Sequence, residues 1–167
     1  FLGKTNITRS SRHNITSLRR RVGIIFQDPH LLGNRTIFEN VALPLIIQGY
    51  KIPEIKRRVH AALDKVSLLN KDKSLPSQLS AGEQQRVGIA RAIVCKPQIV
   101  IADEPTGNLD PLNAYDVVSI LKKINDLGTT VIMTTHNKSI IDEIGRRVIT
   151  MEDGKIIRDD ANGRYAI

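Results

Sequence analysis

Residues 79–110 read LSAGEQQRVGIARAIVCKPQIVIADEPTGNLD, and this stretch decides the fold class. Ser80 followed by Glu83 is a capping box, which opens a helix carrying Val87, Ala90, Ile93 and Val94 as its apolar positions. Ile99-Val100-Ile101-Ala102 then forms a short, β-branched run without alternation, the pattern of a strand buried on both faces of a parallel sheet. Asp103 and Glu104 close that run. Asp110-Pro111 reads as the N-cap and first residue of a further helix, with Leu112, Val117, Val118, Leu121 and Ile124 apolar and Gly128 as its stop. Helix, strand and helix in this order predict an α/β fold.

Working outward, two more runs have the character of the central strand. Val22-Gly23-Ile24-Ile25-Phe26 ends at Gln27, and Thr130-Val131-Ile132-Met133-Thr134-Thr135 ends at His136. Ligands in open α/β sheets bind beyond the carboxyl ends of the strands, so Gln27, Asp103, Glu104 and His136 are expected at one edge. Between the first two strands lies a long helical insert. Thr36 and Glu39 make a second capping box, and Pro44 is expected to limit or kink the helix that follows. Pro53 suits a first turn, and Ile55, Val59, Ala62, Leu63 and Val66 recur at helical spacing with basic residues on the outer face. These helices predict a separate lobe. The segment Arg147–Ile157 reads as a hairpin around Asp153-Gly154, followed by a polar tail.

A length of 167 residues with 41% hydrophobic content suits one domain with a real core. No apolar run reaches the roughly 18 residues of a membrane helix, and the first residues lack the pattern of a secretory signal. The single cysteine, Cys95, has neither a second thiol nor clustered histidines, which leaves no disulfide framework or zinc site and fits a reducing compartment. The net charge of +8 suits a nucleic-acid binder, an acidic membrane surface or an enzyme acting on a polyanion. Its local runs, Arg19-Arg20-Arg21 and Lys56-Arg57-Arg58, read either as solvated faces or as contacts to anionic lipid headgroups.

The acidic pair Asp103-Glu104 fits nucleotide hydrolysis. An aspartate there holds magnesium in P-loop enzymes, and the next acid orients or deprotonates the attacking water. An apolar strand running into an acidic turn is also ordinary architecture. Ser80 and Gly82, at a helix start, offer unpaired N–H groups and a positive dipole end to a phosphate; they are equally readable as a plain cap.

The ordered set Gln27, Leu79–Gln85, Ile99–Glu104, Asn108-Leu109-Asp110 and His136 resembles the nucleotide-binding subunits of ABC transporters: their Q-loop, signature motif, Walker B strand with its glutamate, D-loop and switch histidine. The resemblance implies a P-loop NTPase core, a parallel sheet flanked by helices, with a helical subdomain inserted after the Q-loop strand. It divides the chain into 1–35 (Q-loop part of the core), 36–95 (helical subdomain with the signature) and 96–167 (Walker B to the end). It further implies ATP and Mg2+ as ligands, with Gln27 and Asp103 at the metal and Glu104 and His136 catalytic. Gln27, Ser80, Ala81, Gly82, Glu83, Asp103 and Asp110 would contact nucleotide, the signature residues reaching ATP held by the opposite subunit of a homodimer. An integral, permease-like membrane partner is implied, with the ATPase peripheral on the cytoplasmic membrane face and no specific nucleic acid bound.

Within the family, Phe38–Leu43 and Glu104–Asp110 resemble a branch of cell-division, lipoprotein-release and macrolide-export ATPases. Thr135–Lys138, Arg146–Ile149 and Arg158–Asp160 leading to Gly163-Arg164-Tyr165 resemble its cell-division members. A soluble ABC protein acting on nucleic acid or ribosomes is the alternative of another class.

Two departures stand out. The motif G-x-x-x-x-G-K-S/T is absent, since Gly3-Lys4-Thr5 has only Phe1 and Leu2 before it. Phe1–Ile7 reads as the strand and turn after a P-loop, so an incomplete N-terminus and an inactive isolated peptide are expected. Ala81 stands where the family usually has glycine; a left-handed conformation there would cost about 1–2 kcal/mol, a helical one little.

Overall fold

A computed structural model of the chain describes residues 12–161 and Gly163. The strand and turn expected over Phe1–Ile7, with Gly3-Lys4-Thr5, and the closing Arg164-Tyr165 lie outside the described residues. The elements run α1 (Arg12–Arg19), β1 (Val22–Ile25), α2 (Ile37–Ile47), α3 (Ile52–Lys65), α4 (Ala81–Ile93), β2 (Ile99–Asp103), α5 (Pro111–Asp126), β3 (Thr130–Thr134), α6 (Lys138–Ile144), β4 (Val148–Glu152) and β5 (Lys155–Asp160).

The three apolar runs form one parallel sheet in the order β1-β2-β3, with Ile25 opposite Ala102 and Asp103 opposite Thr134. Burial on both faces does not hold among the described residues. Ile25, Val100 and Ala102 are buried, whereas Ile24 and Ile132 on the other face are 49% and 51% exposed. Helices α4 and α5 pack against β1 and β3, and along the strands buried positions alternate with more exposed ones among the described residues. Helix α4 comes very close to β1: a Cβ on Gly23 would sit 2.5 Å from the Ala92 carbonyl oxygen, and only glycine permits that approach.

Helices α2 and α3 of the insert form where helices were expected, and Pro44 does not end α2. Thr36 caps α2 reciprocally with Glu39: Thr36 N donates to Glu39 Oε2 at 2.8 Å, and Glu39 N donates to Thr36 Oγ1 at 3.2 Å. Pro44 removes one N–H from the ladder, yet the chain stays helical to Ile47 because the fully buried Leu45 anchors the last turn, and Gly49 at φ +78° makes the exit. Helix α3 buries Ile55, Val59, Ala62 and Leu63. Its basic run is partly neutralised from within: Glu54 pairs with Arg57 at 2.7 Å and Arg58 at 2.6 Å, and these hydrogen bonds hold its carboxyl down at about 2. The insert and the sheet share one core, in which Ile37, Val41, Leu45, Val59 and Leu63 join Ile25, Val100, Val117 and Leu121.

Asp110 caps α5 with Pro111 in its first turn, but Leu112 is 74% exposed and takes no part in the core. The last two strands form a separate antiparallel hairpin. Asp153 and Gly154 both have positive φ, 48° and 73°, as a tight two-residue hairpin turn requires.

Asn40 is the polar staple of the lobe. Fully buried, it accepts from Leu32 N at 2.8 Å and donates Nδ2 to the carbonyls of Leu32, Arg35 and Thr36 at 3.0–3.1 Å. Asn40→Leu keeps the volume but strands the Leu32 N–H and the Arg35 carbonyl, whereas the Leu32 and Thr36 carbonyls keep backbone donors, and is expected to cost about 1–3 kcal/mol in urea unfolding. A midpoint unchanged from the parent would remove this role.

Candidate functional site

Parallel pairing brings the carboxyl ends of β1, β2 and β3 to one edge, where they deliver Gln27, Asp103-Glu104 and His136. Thr134 organises the centre. Its hydroxyl donates to Asp103 Oδ1 at 2.6 Å and accepts from Glu104 N at 3.2 Å, and the same N–H reaches the Thr134 carbonyl at 3.1 Å. Asp103 Oδ1 is thereby occupied, and Oδ2 is the oxygen available to a ligand. Glu104 is held at φ +43°, a left-handed conformation that costs a non-glycine residue and is sustained here by these backbone bonds. Its Oε1 lies 2.9 Å from His136 Nδ1. An ionised carboxylate only accepts, so Nδ1–H donates and His136 Nε2 is left facing outward from the pair.

Gln27 Nε2 donates to Asn108 Oδ1 at 3.0 Å. Both residues, with Asp103, Phe26, Asp28 and His30, line an open cleft of about 450 Å³. The loop that carries Gln27 is clamped from α4: Gln85 Nε2 donates to the Phe26 carbonyl at 2.9 Å, and Arg91 donates to the carbonyls of His30, at 3.1 Å, and Pro29.

Ser80, Ala81, Gly82 and Glu83 do not line this cleft; they form the start of α4, where Ser80 and Ala81 are exposed. Ser80 is the N-cap, with Glu83 N donating to its Oγ at 3.3 Å and Ser80 N donating to Glu83 Oε2 at 2.9 Å. Lys71 Nζ donates to Glu83 Oε1 at 2.5 Å, and this bond together with the Ser80 amide holds the Glu83 carboxyl below its ordinary range. Gly82 is buried against α5, where a Cβ would meet Asn113 Oδ1 at 2.1 Å. Asp110 is held by its own helix. Its carboxylate accepts from Asn113 Nδ2 at 2.5 Å and from the amides of Asn113 and Leu112 at 3.1 Å each, and these bonds lower its pKa.

From sequence, Asn108 is named only within the D-loop motif, and Thr134 and Asn113 are not singled out. Thr134 sits at the end of the third apolar run, and the structure places it opposite Asp103 in the strand register. The D-loop resemblance marks Asn108 but not its bond to Gln27, and Asn113 has no signal, since both contacts depend on how loops and helices come together.

An ABC transporter family model matches residues 2–107, and the chain belongs to that family. More narrowly, it is similar to the cell division ATP-binding protein FtsE of Bacillus subtilis, 52% identical over 151 residues that cover 90% of this chain and 66% of the relative. The Streptococcus pneumoniae FtsE is 46% identical over 160 residues, covering 96% of this chain and 70% of the relative. The chain thus spans about two thirds of the length of these curated relatives. Among solved structures it is similar to the ATP-binding cassette MJ0796, described as a dimer in a post-hydrolysis state bound to ADP and Pi. That match has a TM-score of 0.84 and 32% identity, covering 99% of this chain and 73% of the other. It is also similar to cbiO1 of Clostridium perfringens, part of the ABC transporter complex cbiONQ, with a TM-score of 0.83, 32% identity, and 91% and 61% coverage.

Ala81 is the first residue of α4 and does not have positive φ, so it carries no left-handed cost. Ala81→Gly in the full protein is expected to change ATP turnover by well under tenfold, because the helix-propensity difference is at most about 1 kcal/mol. A steady-state comparison with the parent showing a larger change would mean that the Ala81 methyl contacts ligand.

Proposed function

We propose that this chain is the ATP-hydrolysing part of an FtsE-like ABC subunit, which couples hydrolysis to an FtsX-like integral membrane partner in cell division. The observation that carries the reading is the chain of contacts Asp103–Thr134–Glu104–His136, set beside Gln27 at one sheet edge. Glu104 is the group that orients and deprotonates the attacking water. His136, fixed by Glu104 through Nδ1, presents Nε2 toward the γ-phosphate.

The donor set suits Mg2+: the free Asp103 oxygen and the Gln27 amide oxygen are hard ligands on the same cleft, and the ion takes one or two protein oxygens and completes its shell with phosphates and water. Bound there, Mg2+ would neutralise charge on the phosphates.

The signature residues Ser80, Ala81 and Gly82 lie at a helix N-terminus outside the cleft, with Ser80 and Ala81 exposed and Gly82 buried. That position suits ATP held by a second copy, with two nucleotides sandwiched in a homodimer. Glu83 supports this segment through the cap, and Asp110 shapes the loop beside it. Around the α2–α3 turn, Ile46, Ile47 and Ile52 are more than half exposed, an apolar patch that suits a membrane-protein partner. Among the described residues no helix is long and apolar enough to cross a membrane, and the reading places the subunit peripherally at the cytoplasmic face.

Glu104→Gln, in a chain that carries the phosphate-gripping loop, is expected to slow turnover by about 10²- to 10⁴-fold. The ATP-bound dimer should accumulate and be visible by size-exclusion chromatography. Turnover equal to the parent would take Glu104 out of the catalytic role. The 167 residues alone contain no G-x-x-x-x-G-K-S/T stretch, and a polypeptide of only these residues is expected to hydrolyse ATP at background rate. Mg2+-dependent phosphate release from it, abolished by Glu104→Gln, would contradict this.

A further inference from the structure

We infer that Asn108 is a positioning residue that fixes which end of the Gln27 amide faces the cleft; the inference rests on the ATPase reading of that cleft. The Gln27 side chain lies across the backbone of Gly107, where a Cβ would fall 2.7 Å from Nε2. Its Nε2 donates to Asn108 Oδ1 at 3.0 Å, and both residues line the cleft with Asp103.

A primary amide has a donating end and an accepting end, and rotation of its last torsion exchanges them. A cation bound to one needs the oxygen, whereas a water can accept from the nitrogen or donate to the oxygen. With the nitrogen committed to Asn108, Oε1 is the end left for the ligand. Removal of that partner frees the amide to rotate, so that the nitrogen spends part of the time where the oxygen is needed. Gly107 leaves the space this arrangement requires, and Asn108 selects the orientation within it.

The bond also ties two loops together. Gln27 follows β1 on the loop clamped by α4, while Asn108 lies two residues before Asp110, the cap of α5. Displacement of Gln27 by a ligand breaks or strains a contact to the turn that carries Asp110. Asn108 therefore links the occupancy of the cleft to the position of that turn.

The test combines a spectroscopic and a kinetic readout. In the isotope-labelled, unliganded protein, Gln27→Ala assigns the Gln27 side-chain amide resonances. Asn108→Leu is expected to shift them and speed their hydrogen exchange, while Asn108→Asp, which can only accept, keeps them protected. Gln27 resonances unmoved by Asn108→Leu would overturn the inference.

In the full protein, Asn108→Leu is expected to lower Mg2+-ATP turnover about two- to tenfold, the weight of one neutral hydrogen bond, and to do little in a Gln27→Ala background. An equal loss in both backgrounds also overturns it, because a structural role alone would be additive. If the parent hydrolyses no ATP, the ATPase reading fails by itself and the amide resonances decide the role of Asn108.

Discussion

The close seating of α4 on β1 is the contact on which the rest of the structure depends. Gly23 lacks the Cβ that would strike the Ala92 carbonyl, so the helix lies directly on the strand. From there Gln85 and Arg91 reach the loop after β1 and hold three of its carbonyls, and Gly88 packs against Pro29. The link has a cost: Gln85 Oε1 is buried without a hydrogen-bond partner, a desolvation of about 1–3 kcal/mol. In return, the loop carrying Gln27 and the helix carrying Ser80–Gly82 are joined by several hydrogen bonds and share one core.

At the other side of the sheet edge a single hydroxyl does the organising. Thr134 donates to one acid and accepts from the backbone of the next, which frees one Asp103 oxygen and supports Glu104 in a conformation that glutamate seldom adopts. The two carboxylates are thereby given different surroundings. Asp103 stands at the cleft with one oxygen engaged, and Glu104 is turned to His136. Two adjacent acids with separate partners can serve separate chemical roles.

Among the described residues the two faces of the sheet, and the hairpin, differ in how far they are covered. Ile24 and Ile132 are half exposed, while Ile25, Val100 and Ala102, which alternate with them across the strands, are buried among the described residues. The separate β4–β5 ribbon leaves Met151, Ile156 and Ile157 exposed: no described helix covers them.

Much was legible from sequence, because many determinants are local. The capping boxes at Thr36 and Ser80, the Asp110-Pro111 helix start and the Asp153-Gly154 turn each act within four residues, and each stands where it was expected. β-Branched runs ending in Gln27, Asp103 and His136 placed those residues at one edge, since parallel strands end together. What tertiary structure alone decided is contact between segments far apart in the chain. The Gln27–Asn108 bond spans 81 residues and the Gln85 link to Phe26 spans 59, while Thr134 acts on acids some 30 residues earlier. Periodicity and propensity report the neighbours a residue has along the chain; hydrogen bonds of this kind depend on the register and packing that folding imposes.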